Sequence, residues 1–426
     1  MGMTLAEKLI AKHAGKDTVV PGEFVTAKVD IVMANDVTAP AAIRVFNKGL
    51  DAKEVFDRER VALCSSHFTP NKDIASAEMA KVMRDFAKAQ SIKYYFEVGR
   101  GGVEHVVLPE KGIVLPGDLI VGGDSHTCTY GALGAFASGF GSTDVGCAMA
   151  TGDVWLRVPE TIRIVVKGKF LPWVGAKDLV LHVIGRIGDD GALYQALQWE
   201  GETIEDLSIS GRLTISNMAI EAGGKAGLMI PDQKTIDYCN ERKTREFTPQ
   251  YPDADATYFR TIEVDVSALE PTISCPMLPS NTRTISQVAG QELDQIYIGS
   301  CTNGRLEDLR LAASVLKGRQ TAIRTIVVPG SQEVWMQANA EGILQTFAEA
   351  GCVVSTPGCG ACLGGYMGVL GKDERCLSTT NRNYVGRMGH PEAKVWLANP
   401  AIAAAAAVAG KITHPDDLGP IEEMAV

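Results

Sequence analysis

Residues 295–318, QIYIGSCTNGRLEDLRLAASVLKG, read as a strand, a glycine-bounded turn and a helix. A short apolar run stops at Gly299, the turn closes at Gly304, and Leu306, Leu309, Ala313 and Leu316 then recur at helical spacing. Residues 321–360 repeat the plan, with a strand, a turn, one long helix and a second strand expected. Short continuous apolar runs alternating with helices predict parallel strands covered on both faces, an α/β fold.

The first half follows the same grammar. RVALCSSHFTP (60–70), IKYYFEVGRGG (92–102) and DLIVGGDSHTC (118–128) are apolar runs that end in polar residues and glycines. Ligands of open α/β sheets bind beyond the carboxyl ends of the strands. Ser66-His67, the segment from Arg100 to His105, and Asp124-Ser125-His126 are therefore the first places to look for a site. A new strand-rich segment begins near 158–175, and the Pro-rich LEPTISCPMLPSNTR (269–283) reads as a linker. Domains are expected at 1–157, 158–284 and 285–426.

Composition excludes several classes. Forty-one basic residues against fifty-one acidic ones leave a charge of −10 without a Lys/Arg cluster, so no nucleic-acid partner is expected. No apolar run approaches the ~20 residues of a membrane span, and AIAAAAAVAG (401–410) reads as a packed helix. The start of the chain lacks the apolar core of a signal peptide, and Thr4 with Glu7 forms a capping-box pattern ahead of an amphipathic helix. Ten cysteines without regular spacing then point to reduced thiols in a cytoplasm. Seven of them (Cys64, Cys128, Cys147, Cys239, Cys275, Cys352 and Cys376) lack a partner at ligand spacing and are expected to be small buried hydrophobes.

Cys359 and Cys362, in STPGCGACLGG (355–365), are two residues apart at the end of an apolar run. The third thiol of the set is Cys301 in GSCTNGR, at a strand tip that opens into a helix, where N–H groups favour a thiolate. Structural zinc and [4Fe–4S] sites normally take four protein ligands. Three thiolates would leave one iron of a cluster open to a substrate oxygen. Spacing alone leaves a cluster, zinc and a redox pair all open.

GSCTNGRLEDLR (299–310), PGCGACLGG (357–365), STTNRNYVGRMGHPEA (378–393) and VGGDSHTCTYGALGAFASGFGSTD (121–144) resemble the aconitase superfamily, most closely the large subunits of its isopropylmalate dehydratase branch. The likeness covers essentially the whole chain. It implies three α/β/α domains with mainly parallel sheets around an iron–sulfur cluster. It also implies a hydro-lyase that moves a hydroxyl between adjacent carbons of a malate-type dicarboxylate. The favoured pair is 2-isopropylmalate and 3-isopropylmalate, in leucine biosynthesis; homoaconitate, citramalate and 2,3-dimethylmalate are the alternatives. A cluster-sensing RNA-binding protein and a zinc hydrolase are more remote readings.

The same resemblance assigns residues. Cys301, Cys359 and Cys362 would hold a [4Fe–4S] cluster. Arg382 and Arg387, in TTNRNYVGR, would bind substrate carboxylates, and Asn35 and Asp36, in NDVTAP, would lie near the substrate. Asn217 and Glu221, four apart and so on one helical face, correspond to cluster- and hydroxyl-contacting groups. His105 and Asp124 match a His–Asp pair, Ser125 follows in the same loop, and His67 matches the histidine that protonates the departing hydroxyl. The family usually has Asp before that histidine, whereas this chain has Ser66, which brings no charge to orient the imidazole. His13 and His414 carry no such context and are expected on the surface. The base is a serine on a swivel domain, supplied in this branch by a small subunit. With about 40 residues after NRNYVGR, the chain is expected to lack that domain and to require the partner.

Overall fold

The computed structural model describes residues 2–420. Its secondary structure follows from the apolar runs. The strands Ile31–Asn35, Val61–Cys64, Leu119–Gly122 and Gln295–Ile298 are buried at every position, as strands covered on both faces must be. Helix Leu5–Ala14 starts at the expected capping box, where Thr4 Oγ accepts from the Glu7 amide and Glu7 Oε2 accepts from the Thr4 amide. Pro400–Ala409 is the buried alanine helix, with Asn399 as its N-cap and Pro400 at its first turn. Among the described residues, no helix is long and apolar enough to cross a membrane.

The chain forms two compact units. The first takes residues up to 98, 107–168 and 190–265; the second takes 99–106, 169–189 and 266 onward.

Within the first unit lies a five-stranded parallel sheet, ordered Tyr94–Phe96, Val61–Cys64, Ile31–Asn35, Leu119–Gly122, Phe136–Gly139. Numbered along the chain, that order is 3-2-1-4-5. The direction of strand addition reverses between strands 1 and 4, which opens a crevice at their carboxyl ends. The same unit holds a four-stranded parallel sheet, ordered Ala226–Met229, Ala196–Glu200, Thr161–Lys167, Arg260–Asp265. Phe24–Lys28 and Asp153–Arg157 add an antiparallel ribbon.

A seven-stranded sheet organises the second unit. Its parallel part runs Lys394–Leu397, Arg375–Ser378, Gln295–Ile298, Arg324–Val327, Val353–Val354. In chain order this is 5-4-1-2-3, the first unit's sequence of strands read from the opposite edge. Its reversal falls between Gln295–Ile298 and Arg375–Ser378.

Three local expectations need correction. The Pro-rich stretch is no bare linker, because Thr272–Ser274 and Thr282–Thr284 pair antiparallel and join the seven-stranded sheet at its edge. Its prolines, Pro271, Pro276 and Pro279, flank the strands, where a missing N–H costs no ladder bond. The long helix expected within 321–360 is two helices, Gln332–Ala340 and Ile343–Glu349, broken at Gly342, whose φ of 74° is left-handed. His13 is not on the surface. Its ring is 7% exposed and bridges the Leu9 carbonyl (2.7 Å) and Asp30 (2.6 Å). His414 is half-buried. Of the seven unassigned cysteines, five are buried, while Cys147 and Cys275 are half-buried.

Candidate active site

In the first unit the crevice gathers most of the expected acid–base residues. Asn35 ends strand 1, and its side-chain oxygen accepts from the amides of Val37 and Thr38, forming the turn. Asp36 follows. Its carboxylate accepts from three consecutive backbone amides, Ser66 (2.8 Å), His67 (2.9 Å) and Phe68 (2.7 Å). Both residues are fully buried, and Asp36 shapes the His67 loop.

His67 is the product of that arrangement. Its Nδ1 lies 2.8 Å from Ser66 Oγ and 4.0 Å from Asp36 Oδ1, and its Nε2 lies 3.7 Å from Asp124 Oδ2. The carboxylate missing at position 66 is thus supplied from two other loops. Asp124 caps the short helix Ser125–Leu133, its Oδ1 accepting from the His126 amide at 2.8 Å. Close packing depends on glycine here: a Cβ on Gly139 would stand 2.7 Å from the Asp124 carbonyl oxygen.

His126, in the same loop, carries no role in the sequence reading. Its Nε2 makes a 2.7 Å contact with Glu221 Oε1, both side chains being nearly inaccessible. Asn217 ends helix Ile209–Asn217, and Glu221 falls in the tighter turn Met218–Ala222, so one continuous helical face is not what presents them. Both still reach the Ser125–Leu133 segment, Asn217 through Thr129 Oγ at 2.8 Å. Ser125, between Asp124 and His126 in sequence, is half-buried.

The second unit collects the sulfur. Cys301 lies in the turn Ser300–Asn303 directly after strand Gln295–Ile298, and Cys359 and Cys362 follow strand Val353–Val354. The three thiols form one small cluster with Val103 and are 1–4% exposed. Ser300, forced to a φ of +80°, brings its Oγ within 3.5 Å of Cys362 Sγ and 3.8 Å of Cys301 Sγ. Asn381 Nδ2 donates to Cys301 Sγ at 3.3 Å. Tyr297 Oη donates to the Cys359 carbonyl at 2.7 Å, and a Cβ on Gly360 would stand 2.3 Å from that hydroxyl.

A hydrogen bond with Cys362, then burial, push the Cys359 thiol well above its ordinary range. Three buried sulfurs with donors aimed at them and unfavourable thiolate charge fit a cationic metal group that would offset that charge.

Two cations, Arg387 and Lys177, interact electrostatically with the sulfurs. Arg382 and Arg387 are half-buried, and Arg387 Nε is buried without a hydrogen-bond partner. The Arg387 charge partly opposes the rise at Cys359. Lys177, 1% exposed, donates to Asn303 Oδ1 (3.2 Å) and to the carbonyls of Thr379 (2.9 Å) and Thr380 (2.6 Å). Burial pulls its pKa down to about 7, against the opposing pull of Asp308 and the sulfurs. His105 is buried in the first turn of helix Glu104–Glu110 and not on a strand tip, with Nε2 3.8 Å from Glu104 Oε1.

Asn381 was within reach of sequence reasoning, since it shares the motif of Arg382. Ser300 and Tyr297 flank Cys301 but carry no signal of their own. Lys177 gave none.

Residues 7–410 match the aconitase family (aconitate hydratase). Similar relatives are each named 3-isopropylmalate dehydratase large subunit. That of Halothermothrix orenii is 57% identical over 98% of this chain and 100% of its own. The Moorella thermoacetica protein is 56% identical with the same coverage, and that of Aquifex aeolicus 55% over the whole of both chains. Among solved structures, Thermococcus kodakaraensis aconitase X (holo-form) aligns at a TM-score of 0.48 and 16% identity, covering 90% of this chain and 94% of that one. The family match runs through both constellations and the relatives align end to end at more than half identity, so this chain belongs to the aconitase family.

Proposed function

We propose that this chain is the large, cluster-binding subunit of a 3-isopropylmalate dehydratase, a hydro-lyase interconverting 2-isopropylmalate and 3-isopropylmalate by dehydration and rehydration. The observation that carries the reading is the gathering of Cys301, Cys359 and Cys362 into one buried cluster, in a chain whose full-length relatives bear that name. Domains at 1–157, 158–284 and 285–426 belong to the same reading, each larger sheet falling mainly in one of them.

A [4Fe–4S] cluster held by the three thiolates would supply an iron without a protein ligand, a Lewis acid for the substrate hydroxyl. Arg382 and Arg387 are assigned to the substrate carboxylates, which a guanidinium matches with paired hydrogen bonds. The unpartnered Arg387 Nε–H supports that assignment. His67 is assigned the proton given to the departing hydroxide. A carboxylate on each side of its ring, Asp36 and Asp124, balances the charge of the protonated imidazole. Asp124, His105, His126 and Glu221 are assigned to proton handling around the released water. Asn35, Asp36, Ser125 and Asn217 are assigned to polar contacts with the substrate, and Asp36 also positions the His67 loop. The base that takes the weakly acidic proton α to a carboxylate is assigned to a serine on the swivel domain of a small subunit.

The test is reconstitution. Purified anaerobically, the chain alone should not isomerise 3-isopropylmalate, and adding a cognate small subunit should restore turnover. Citramalate, homoaconitate and 2,3-dimethylmalate should be poorer substrates. Robust turnover by the isolated chain, or preference for one of the other three, contradicts the reading.

A further inference from the structure

Lys177 lies in the first turn of helix Ala176–Ile187, within GAKD (175–178). A lysine at 1% exposure is rare, because an ammonium in a dry interior must find all its partners in the protein. This one does. Its three N–H groups meet three acceptors: Asn303 Oδ1, the Thr379 carbonyl and the Thr380 carbonyl. In its ammonium form every N–H is engaged, which suits the group to holding the two loops.

What it holds is the point at which the seven-stranded sheet reverses. Asn303 is two residues beyond Cys301, after strand Gln295–Ile298. Thr379 and Thr380 follow the neighbouring strand Arg375–Ser378 and run directly into Asn381 and Arg382. Asn381 donates to Cys301 Sγ, so the far side of the clamp is coupled to sulfur.

The helix that delivers Lys177 is itself fastened at the next residue. Asp178 accepts from the amides of Gly175 (2.9 Å) and Thr272 (2.8 Å) and from Asn399 Nδ2 (2.9 Å). Asn303 is braced in turn, since its Nδ2 donates to Asp308 Oδ1 at 2.9 Å. An ammonium fixed at both ends in this way defines the spacing between the two loops.

We infer that Lys177 is a positioning residue of the sulfur site, a clamp holding the Cys301 loop against the loop of Asn381 and Arg382. The role builds on the cluster reading proposed above, but one of its tests does not depend on that reading. In Lys177→Met the apolar chain remains while the three hydrogen bonds and the charge are lost. In the cluster-free chain, alkylation of Cys301 by iodoacetamide, followed by peptide mass, should run at least about fivefold faster in Lys177→Met than in wild type. In the anaerobically reconstituted chain with its small subunit, KM for 3-isopropylmalate should rise by about tenfold or more, with a smaller change in kcat. The substrate-induced change in the EPR spectrum of the reduced cluster should move to correspondingly higher concentration.

Wild-type alkylation, KM and EPR titration in a folded Lys177→Met protein overturn the inference. If Lys177→Met does not fold, Asn303→Ala removes one acceptor and leaves the ammonium. It should show the same changes at smaller size, and wild-type behaviour there overturns the inference equally. A wild-type chain that binds no iron–sulfur cluster defeats the cluster reading, while the alkylation comparison still decides the clamp.

Discussion

The five-stranded sheet of the first unit and the parallel part of the seven-stranded sheet of the second use one strand order, with the reversal between the first and fourth strands of each. Their loops at that reversal are chemically unlike. The first unit places Asp36 after one strand and Asp124 after the other, with His67 between carboxylates and His126 against Glu221. The second places Cys301 after one strand and Asn381 after the other, and holds the pair with a buried lysine. Topology decides where a site can form in each sheet, and a few loop residues decide what it can do. In the first, backbone amides stabilise an anion and aim an imidazole. In the second, amide and hydroxyl side chains are turned toward sulfur.

Breaking the second region should have the larger effect. Cys301→Ser removes one of the three proposed ligands and should reduce bound iron and turnover to background, as read by iron content and by isomerisation with the small subunit. In the first region, His67→Ala should lower kcat by roughly 10²-fold, the scale of a positioned acid, with iron content unchanged. An effect of His67→Ala on iron, or none on kcat, would erase the division between the two regions.

The Ser66 question sharpens the first region further. Asp36→Asn turns one acceptor oxygen into an N–H group facing backbone donors, a fully buried conflict worth about 1–3 kcal/mol in stability. Urea unfolding should report that loss, with a lower kcat beside it. Ser66→Asp, by contrast, adds a carboxylate where Asp36 Oδ1 already lies 3.5 Å from the Ser66 hydroxyl. It should leave the pH profile of turnover unchanged within about threefold. A profile extended to higher pH would mean that Asp36 and Asp124 do not supply the missing charge.

Legibility followed range in the sequence. Parallel strands, glycine turns and strand-tip motifs are local patterns, so the α/β class, the Cys359-x-x-Cys362 pair, and the Asp124 and His67 loops could be read directly. The four-residue spacing of Asn217 and Glu221 implied one helical face, whereas the helix tightens between them. Pairings made by tertiary contact left no trace. Asp36 reaches across 30 residues to Ser66, Glu221 across 95 to His126, and Lys177 across 203 to Thr380. The Pro-rich stretch misled because edge strands tolerate the residues that mark linkers.

The four-stranded sheet supplies a control at which only stability is at stake. Asp232 pairs with Arg212, whose side chain is 1% exposed. Partial burial raises the Asp232 pKa, but hydrogen bonds from Arg212 and the Thr235 amide outweigh it and bring the value down to about 2. A folded-state value below the unfolded one means that the unfolded chain takes up the proton first. The stabilisation is therefore present above about pH 4 and is lost as pH falls toward 2. After allowance for solvent screening it amounts to about 1 kcal/mol. The stability difference between wild type and Asp232→Asn should shrink by most of that amount between pH 5 and pH 2 in urea titrations, with iron content unaffected.

The central claim is that sulfur chemistry and acid–base chemistry are divided between the two strand reversals. Iron and acid-labile sulfide, measured per chain in anaerobically purified wild type, His67→Ala and Cys301→Ser, test it most directly. The account predicts about four of each in wild type and His67→Ala, and neither in Cys301→Ser. Zinc in place of iron in the wild type, or a full cluster in Cys301→Ser, would contradict it.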